Sequence, residues 1–133
     1  MQERFLLDTH TLVFWSLKRD ISQEFIAFLN SKAELGLVYL SPVSFWEVAL
    51  LFKKGKIKIE QGLWNWKQEV MSQSLSRLIE PSAEEMMESV FLPDHHRDPF
   101  DRLLIVQART QQMKFVSKDR GLQRYEVVLF WMD

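Results

Sequence analysis

The stretch that decides the fold reads His96-Arg97-Asp98-Pro99-Phe100-Asp101-Arg102-Leu103-Leu104-Ile105-Val106-Gln107-Ala108. Pro99 suits the first position of a helix, where its missing N–H costs nothing, and Asp98 is a natural N-cap before it. Asp101 then falls in the first turn, where the helix dipole favours a negative charge. The stretch therefore predicts a helix that begins at Pro99 with carboxylates at its N-terminal end.

The body of this predicted helix has an apolar face. The residues that follow i, i+3, i+4, i+7 and i+8 spacing on that face are Phe100, Leu103, Leu104, Gln107 and Ala108. Because such a face must be buried, Asp101 lies at the N-terminal end of a helix whose body is expected to be buried. This is ordinary capping chemistry unless other carboxylates converge on it, and three others are placed to do so.

Length and composition limit the class of protein. The chain has 133 residues, so we expect one domain, 1–133, with room for a proper core. An apolar content of 47% excludes a disordered chain, and a net charge of −1 gives no overall attraction to nucleic acid or to a membrane. The lack of cysteine removes thiol catalysis and zinc-thiolate sites. We expect a soluble, cytoplasmic protein, because the apolar run near the N-terminus is too short for a signal peptide or a membrane span.

Strand and helix signals alternate along the chain. Five strands are predicted, at Phe5–Leu7, Leu37–Leu40, Leu78–Ile79, Phe115–Val116 and Val127–Phe130. Helices are predicted at Thr9–Leu17, Ser22–Lys32, Pro42–Lys54 and Leu63–Ser72, after the capping box that starts at Ser82, and from Pro99. Such alternation indicates an α/β fold with a mainly parallel sheet covered on both sides.

Two acidic residues follow predicted strands. Asp8 ends the first strand, and Asp119 comes shortly after the strand that contains Phe115 and Val116. Ligand sites in parallel sheets lie at the carboxyl ends of the strands, so both acids are candidates for a site. The alternatives are that Asp8 only caps the following helix and that Asp119 is a plain turn residue.

The helix predicted from Pro42 to Lys54 contains one isolated acid. It is apolar nearly all round, and Ser44 and Glu47 are its only polar side chains before Lys53. A lone carboxylate in such a helix needs a cation or hydrogen-bond donors, which favours a functional role for Glu47. The alternatives are a narrow solvent-exposed stripe, or a Ser44–Glu47 capping box of a helix that begins later.

Together these acids predict a metal site. Asp8, Glu47, Asp101 and Asp119 form an all-oxygen set, which suits Mg²⁺ or Mn²⁺. Asp98 is better explained as a helix cap than as a ligand. No zinc site is predicted, because the adjacent His95 and His96 lack the i, i+4 spacing that places two ligands on one helical face, and we expect His10 to pack or bond locally.

Four segments resemble, in order, the acidic signatures of the PIN domain, and most closely those of the VapC-type toxin ribonucleases of bacterial toxin–antitoxin pairs. The segments are Leu6-Leu7-Asp8-Thr9-His10, Ser41-Pro42-Val43-Ser44-Phe45-Trp46-Glu47, His96-Arg97-Asp98-Pro99-Phe100-Asp101-Arg102-Leu103-Leu104 and Ser117-Lys118-Asp119. The third segment is the most specific. One departure is Ser117-Lys118, where the family commonly has Thr, but a hydroxyl is retained.

The resemblance implies a fold, a site and partners. The fold is a small three-layer α/β/α sandwich, and Asp8, Glu47, Asp101 and Asp119 take the places of the catalytic and metal-binding quartet, with Asp98 as an accessory acid. It also implies dependence on Mg²⁺ or Mn²⁺, cleavage of RNA, homodimerisation and inhibition by a co-expressed antitoxin. Similar enzymes leave a 5′-phosphate and a 3′-hydroxyl. Two other classes are alternatives: a non-catalytic interaction module, and a haloacid-dehalogenase-type phosphohydrolase, which needs a second Asp where this chain has His10.

The chain also contains cations that could bind RNA. Cations that could offset the repulsion between the acidic cluster and RNA are Lys53, Lys54, Lys56 and Lys58, with Lys18 and Arg19, although a solvated turn explains the lysines equally well.

Trp64 and Trp66 lie about 200° apart around a helix and cannot both face one core. Phe45 and Trp46 pose the same problem, so one member of each pair should lie on the surface or in an interface. We hypothesise that part of this set lines a groove for the antitoxin; the alternatives are helices sandwiched between layers, or a Trp that covers the edge of the core.

Overall fold

Five parallel strands form the central sheet of the computed structural model, which describes residues 2–133. They are β1 (Phe5–Leu7), β2 (Val38–Leu40), β3 (Arg77–Leu78), β4 (Lys114–Val116) and β5 (Leu129–Phe130). The order across the sheet is β3-β2-β1-β4-β5, and each neighbouring pair is parallel. The predicted α/β class and parallel sheet are therefore confirmed. The order reverses between β1 and β4, and ligands of open α/β sheets bind at such a switch point.

Six α-helices connect the strands, and the start of each was predicted from sequence to within one residue. They are α1 (Thr9–Leu17), α2 (Gln23–Glu34), α3 (Pro42–Lys53), α4 (Leu63–Gln73), α5 (Ala83–Val90) and α6 (Pro99–Thr110), and a 3₁₀ helix spans Arg120–Arg124. Local capping explains why the helices begin where they do. Ser82 and Glu85 form a complete capping box at α5, and Ser22 accepts a hydrogen bond from the Phe25 amide at α2.

Alternate residues of β1 divide the core into two layers. Phe5 and Leu7 point into an apolar cluster that includes α1, α2 and α4, whereas Leu6 points into a second cluster that includes α6. Helix α3 contributes to both clusters, with Val48 in the first and Val43 in the second. This explains why α3 is apolar nearly all round, and it places both faces of the sheet under helices.

The buried surface of helix α6 extends beyond the apolar face predicted from the sequence. Ile105 and Val106 are fully buried, whereas Phe100 and Leu103 of the predicted face are only partly buried. The reason is that α6 packs against β1 and β4 on one side and against α3 and α5 on others. Within residues 2–133, none of the helices has the length and apolar content needed to cross a membrane.

Candidate acidic site at the sheet edge

Asp8 lies where β1 and β4 meet at their carboxyl ends. Its amide donates a hydrogen bond to the Val116 carbonyl at 3.0 Å, and its Oδ1 accepts one from the Thr11 amide at 2.8 Å. Asp8 therefore caps α1, as the sequence allowed, but its side chain is also buried, with 5% of its surface exposed. Burial raises the pKa of Asp8 above its usual range. A capping role and a place in the site are compatible for this residue.

Glu47 is a buried carboxylate with an unpartnered oxygen. Only 6% of its surface is exposed, and within residues 2–133 its Oε1 accepts no hydrogen bond. The two alternative explanations of Glu47 are both wrong, because the side chain is not on a solvent-exposed stripe and α3 is capped by Ser41, six residues earlier. Ser44 instead accepts a hydrogen bond from the Thr9 hydroxyl at 3.2 Å and links α3 to α1. Burial raises the pKa of Glu47, and the negative charge of Asp98 raises it further.

Asp98 is the N-cap of α6, as predicted. Its Oδ1 accepts hydrogen bonds from the amides of Phe100 at 2.8 Å and Asp101 at 3.4 Å. Both capping contacts use Oδ1, so Oδ2 of Asp98 makes no capping contact. One ligand atom each from His96, Asp98 and Asp101 lies within 4.8 Å of the other two. Asp98 is therefore placed both to cap the helix and to face a bound cation.

Asp101 is the residue on which the other acids converge. Burial raises its pKa to about 7, and the negative charges of Asp98, Asp8 and Glu47 contribute to the increase. His96 opposes them, because its Nε2 lies 2.8 Å from Oδ2 of Asp101. Asp8 after β1, Glu47 of α3 and the cap residue Asp98 thus act electrostatically on the carboxyl group of Asp101.

Asp119 reaches the same cleft from β4. It caps the 3₁₀ helix, its Oδ1 accepting a hydrogen bond from the Gly121 amide at 2.9 Å, and it is exposed. The acidic cleft has a volume of about 440 Å³ and is lined by Asp8, His10, Phe14, His96, Asp98, Asp101, Lys118 and Asp119. His10 does contact Phe14, with ring centroids 6.2 Å apart, but it also faces this cleft.

A second cleft, which we call the flanking cleft, shares Asp98 with the acidic cleft. Its volume is about 380 Å³, and its lining residues are Glu47, Leu50, Leu51, Lys54, Arg97, Asp98, Pro99 and Phe100. All four lysines around Gly55 are exposed, and Lys54 is the one that lines this cleft. Lys118 in the acidic cleft and Arg97 in the flanking cleft were not identified as candidates from the sequence. Each directly precedes a candidate acid, Asp119 and Asp98 respectively.

Arg102 is a structural residue that the sequence analysis missed. It is 8% exposed, and its guanidinium donates hydrogen bonds at 2.8–3.2 Å to five backbone carbonyls before α6. Those carbonyls belong to Ser89, Val90, Leu92, Pro93 and His96. Tyr125 also holds this segment, because its hydroxyl donates to Pro93 O and accepts from His96 N, both at 2.8 Å. These contacts hold the backbone of His96, whose imidazole contacts Asp101.

The donor set fits a hard divalent cation. Three buried or half-buried carboxyls have raised pKa values, and the Oε1 of Glu47 lacks any partner in the described part of the chain. A divalent cation neutralises such mutual repulsion and accepts oxygen ligands, which is the preference of Mg²⁺ and Mn²⁺. Within residues 2–133, the ligand atoms that come close enough to share one cation belong to His96, Asp98 and Asp101. Asp8 and Asp119 line the same cleft, whereas Glu47 lines the flanking cleft described above.

The fold and the site define an α/β protein with an acidic cleft at the switch point of a parallel sheet. Residues 5–128 match the family model of the PIN domain, and the chain belongs to the PIN domain family. This confirms the resemblance seen in the four acidic segments. Among curated proteins, no sequence of significant similarity is found.

Solved structures of low sequence identity share the fold. The structure of VapBC2 from Rickettsia felis bound to a promoter DNA fragment superimposes with a TM-score of 0.72 at 16% identity, covering 95% of this chain and 96% of that one. FitAcB from Neisseria gonorrhoeae gives a TM-score of 0.63 at 17% identity, with 95% and 96% coverage. A toxin–antitoxin complex from Klebsiella pneumoniae gives 0.64 at 15% identity, with 94% and 95% coverage.

Proposed function

We propose that this protein is a metal-dependent endoribonuclease and the toxin of a toxin–antitoxin pair. The observation that carries the proposal is that Asp8 and Asp101 line the acidic cleft at the switch point, that Glu47 lines the adjoining flanking cleft and acts electrostatically on Asp101, and that all three have raised pKa values. Carboxyl groups whose pKa values are raised by burial and by one another are typical of functional sites. Membership of the PIN domain family supports nuclease chemistry at this position.

The proposed catalytic and metal-binding residues are Asp8, Glu47, Asp101 and Asp119. When bound, Mg²⁺ or Mn²⁺ would activate a water molecule for in-line attack and neutralise charge on the scissile phosphate. Asp8 is fixed by its capping hydrogen bond, and Glu47 by its place in the buried helix α3. Asp98 would orient Asp101 by accepting a hydrogen bond from its amide. His96 would orient it by the hydrogen bond between its imidazole and the Asp101 carboxylate.

The proposed partners are an antitoxin protein, an RNA substrate and a second copy of the chain. The antitoxin is supported by the neighbours of similar fold, of which one is VapBC2 and another a toxin–antitoxin complex. The exposed aromatic residues support a binding surface. As expected, one member of each aromatic pair is exposed: Trp64 at 79% while Trp66 is at 1%, and Trp46 at 62% while Phe45 is partly buried.

The decisive experiment is cleavage of a labelled single-stranded RNA by the purified protein. We expect cleavage with Mg²⁺ or Mn²⁺, no cleavage with a chelator, and loss of cleavage in Asp8→Asn. Asp20→Asn is a matched control, because Asp20 is an exposed acid in a left-handed turn that Asn also tolerates. A wild-type protein that cleaves no RNA with either metal would contradict the proposal and favour a non-catalytic interaction module.

A further inference from the structure

Trp46 presents a large aromatic surface to solvent immediately before the buried acid Glu47. Its side chain is 62% exposed, and it packs edge-on against Phe100, with ring centroids 4.9 Å apart and an interplanar angle of 80°. Phe100 in turn precedes Asp101 in α6. A single exposed aromatic is common on protein surfaces. This one packs on a second aromatic ring, and each of the two rings is next in sequence to a candidate site acid, Glu47 or Asp101.

The flanking cleft joins this aromatic pair to the acidic cleft. Phe100 lines the flanking cleft and contacts Trp46, and Asp98 lines both clefts. A chain molecule cleaved at the acidic site would therefore continue past Asp98 towards Phe100 and Trp46. The apolar part of the flanking cleft comes from Leu50, Leu51 and Pro99.

The flanking cleft also carries unpaired positive charge. Lys54 and Arg97 line it and are exposed, and over residues 2–133 neither forms an ion pair with an acid. Cations placed this way bind the phosphates of a nucleic acid, whereas the carboxylates beside them would repel it. The chemistry of the cleft thus matches a strand with aromatic bases and an anionic backbone.

We infer that Trp46 and the flanking cleft bind a nucleotide of the RNA strand next to the scissile phosphate. The base stacks on the indole of Trp46, and Arg97 and Lys54 contact the neighbouring phosphates. The base must be unpaired to reach an aromatic platform, so the substrate segment is single-stranded. This inference rests on the proposed function, and it assigns Trp46 to RNA and leaves Trp64 for the antitoxin.

The test is the affinity for a short single-stranded RNA that carries 2-aminopurine, measured in the Asp8→Asn background, which keeps the RNA intact. Trp46→Ala should weaken binding about 10-fold, because loss of one base–aromatic stack has roughly this effect. Trp46→Phe should restore most of the affinity, since a smaller ring still stacks. Trp64→Ala is the matched control, an exposed Trp on α4 whose loss should leave RNA affinity unchanged.

The phosphate contacts have their own readout. Arg97→Gln and Lys54→Gln should each reduce the slope of log affinity against log salt by about 0.7, the value for one phosphate on a single strand. With Asp8 intact and no RNA present, the Mn²⁺ affinity of Trp46→Ala should equal that of the wild-type protein, which separates loss of the RNA contact from damage to the acidic cleft.

Two outcomes distinguish this inference from the proposed function. If the wild-type protein cleaves RNA and Trp46→Ala binds and cleaves it equally well, the subsite is wrong and the nuclease assignment stands. If RNA binds through Trp46 but is not cleaved with either metal, the nuclease assignment is wrong and the subsite stands. Trp46→Ala that keeps its RNA affinity but no longer binds the protein encoded beside this gene would assign Trp46 to that partner and overturn the inference.

Discussion

The imidazole Nε2 of His96 lies 2.8 Å from Oδ2 of Asp101, inside the acidic cleft. The pair spans the N-terminus of α6, because His96 precedes the cap residue Asp98 and Asp101 follows it. His96 is the group beside Asp101 whose hydrogen bond lowers the pKa of that carboxyl, against burial and three nearby acids. It therefore orients Asp101 and favours its charged form, which is the form that binds metal.

We expect His96→Ala to weaken Mn²⁺ binding by about 10-fold or more while the fold is retained, since groups that orient a metal ligand have effects of roughly 10–100-fold. Calorimetric titration of the metal without RNA measures this directly. His95→Ala is the matched control, because His95 is exposed and its ring packs on Tyr125, with centroids 5.3 Å apart. Equal Mn²⁺ affinity in both variants would show that His96 does not position Asp101.

Asp98 and Asp101 should respond differently to the same substitution. Asp98→Asn should cost little stability, because Asn caps a helix as well as Asp does and the capping contacts use only Oδ1. Asp101→Asn should lose most of the metal affinity and turnover, because it removes a charged ligand. Mg²⁺ titrations of both variants decide the matter. Equally severe losses would mean that Asp98 is also a ligand.

The stability of the metal-free protein should fall as pH rises. Folding raises the pKa of Asp101 from about 4 to about 7, so the folded state binds a proton that the unfolded state has released. The stabilising effect of protonation is complete below pH about 4 and is lost as pH rises to about 7. Urea unfolding at several pH values with a chelator measures this. Excess Mg²⁺ should reverse the loss at neutral pH, because it binds only the folded site.

Glu47→Gln should abolish cleavage and stabilise the metal-free protein at neutral pH. The pKa of Glu47 is raised by burial and by Asp98, so the charged form opposes folding, and a neutral amide of the same shape removes that cost. The advantage over wild type should shrink as pH falls and Glu47 becomes protonated. Paired urea unfolding curves and cleavage rates check both effects. A fully active Glu47→Gln protein would contradict the role proposed for this acid.

The sequence predicted most of the fold because its signals are local. Asp98 and Pro99 mark the start of α6 by capping chemistry alone, and the unusual isolation of Glu47 in an apolar helix correctly indicated a buried acid. The contacts of His96 and Arg102 could not be predicted in this way. Both depend on the path of the segment between α5 and α6, which carries no periodic pattern, and on Tyr125, far away along the chain.

Arg102 should stabilise the fold and set the geometry of the site. Its planar guanidinium donates to five carbonyls, including those of Leu92 at 2.8 Å and His96 at 3.0 Å, and Lys cannot reproduce this fork of donors. We expect Arg102→Lys to lower the free energy of unfolding by about 2–3 kcal/mol, because buried carbonyls lose their partners. Arg109→Lys is the matched control on the same helix, since the single polar contact of the Arg109 side chain among residues 2–133 is a 3.8 Å ion pair with Glu88.

Arg102→Lys should also weaken Mn²⁺ binding in the folded protein, because the segment that holds His96 beside Asp101 becomes loose. Adding His96→Ala to Arg102→Lys should then cause little further loss of Mn²⁺ affinity, since both changes remove the same contact. Metal titration of the two single variants and the double variant measures this coupling. Additive losses, or an Arg102→Lys protein with wild-type stability and Mn²⁺ affinity, would show that Arg102 does not act on the site through His96.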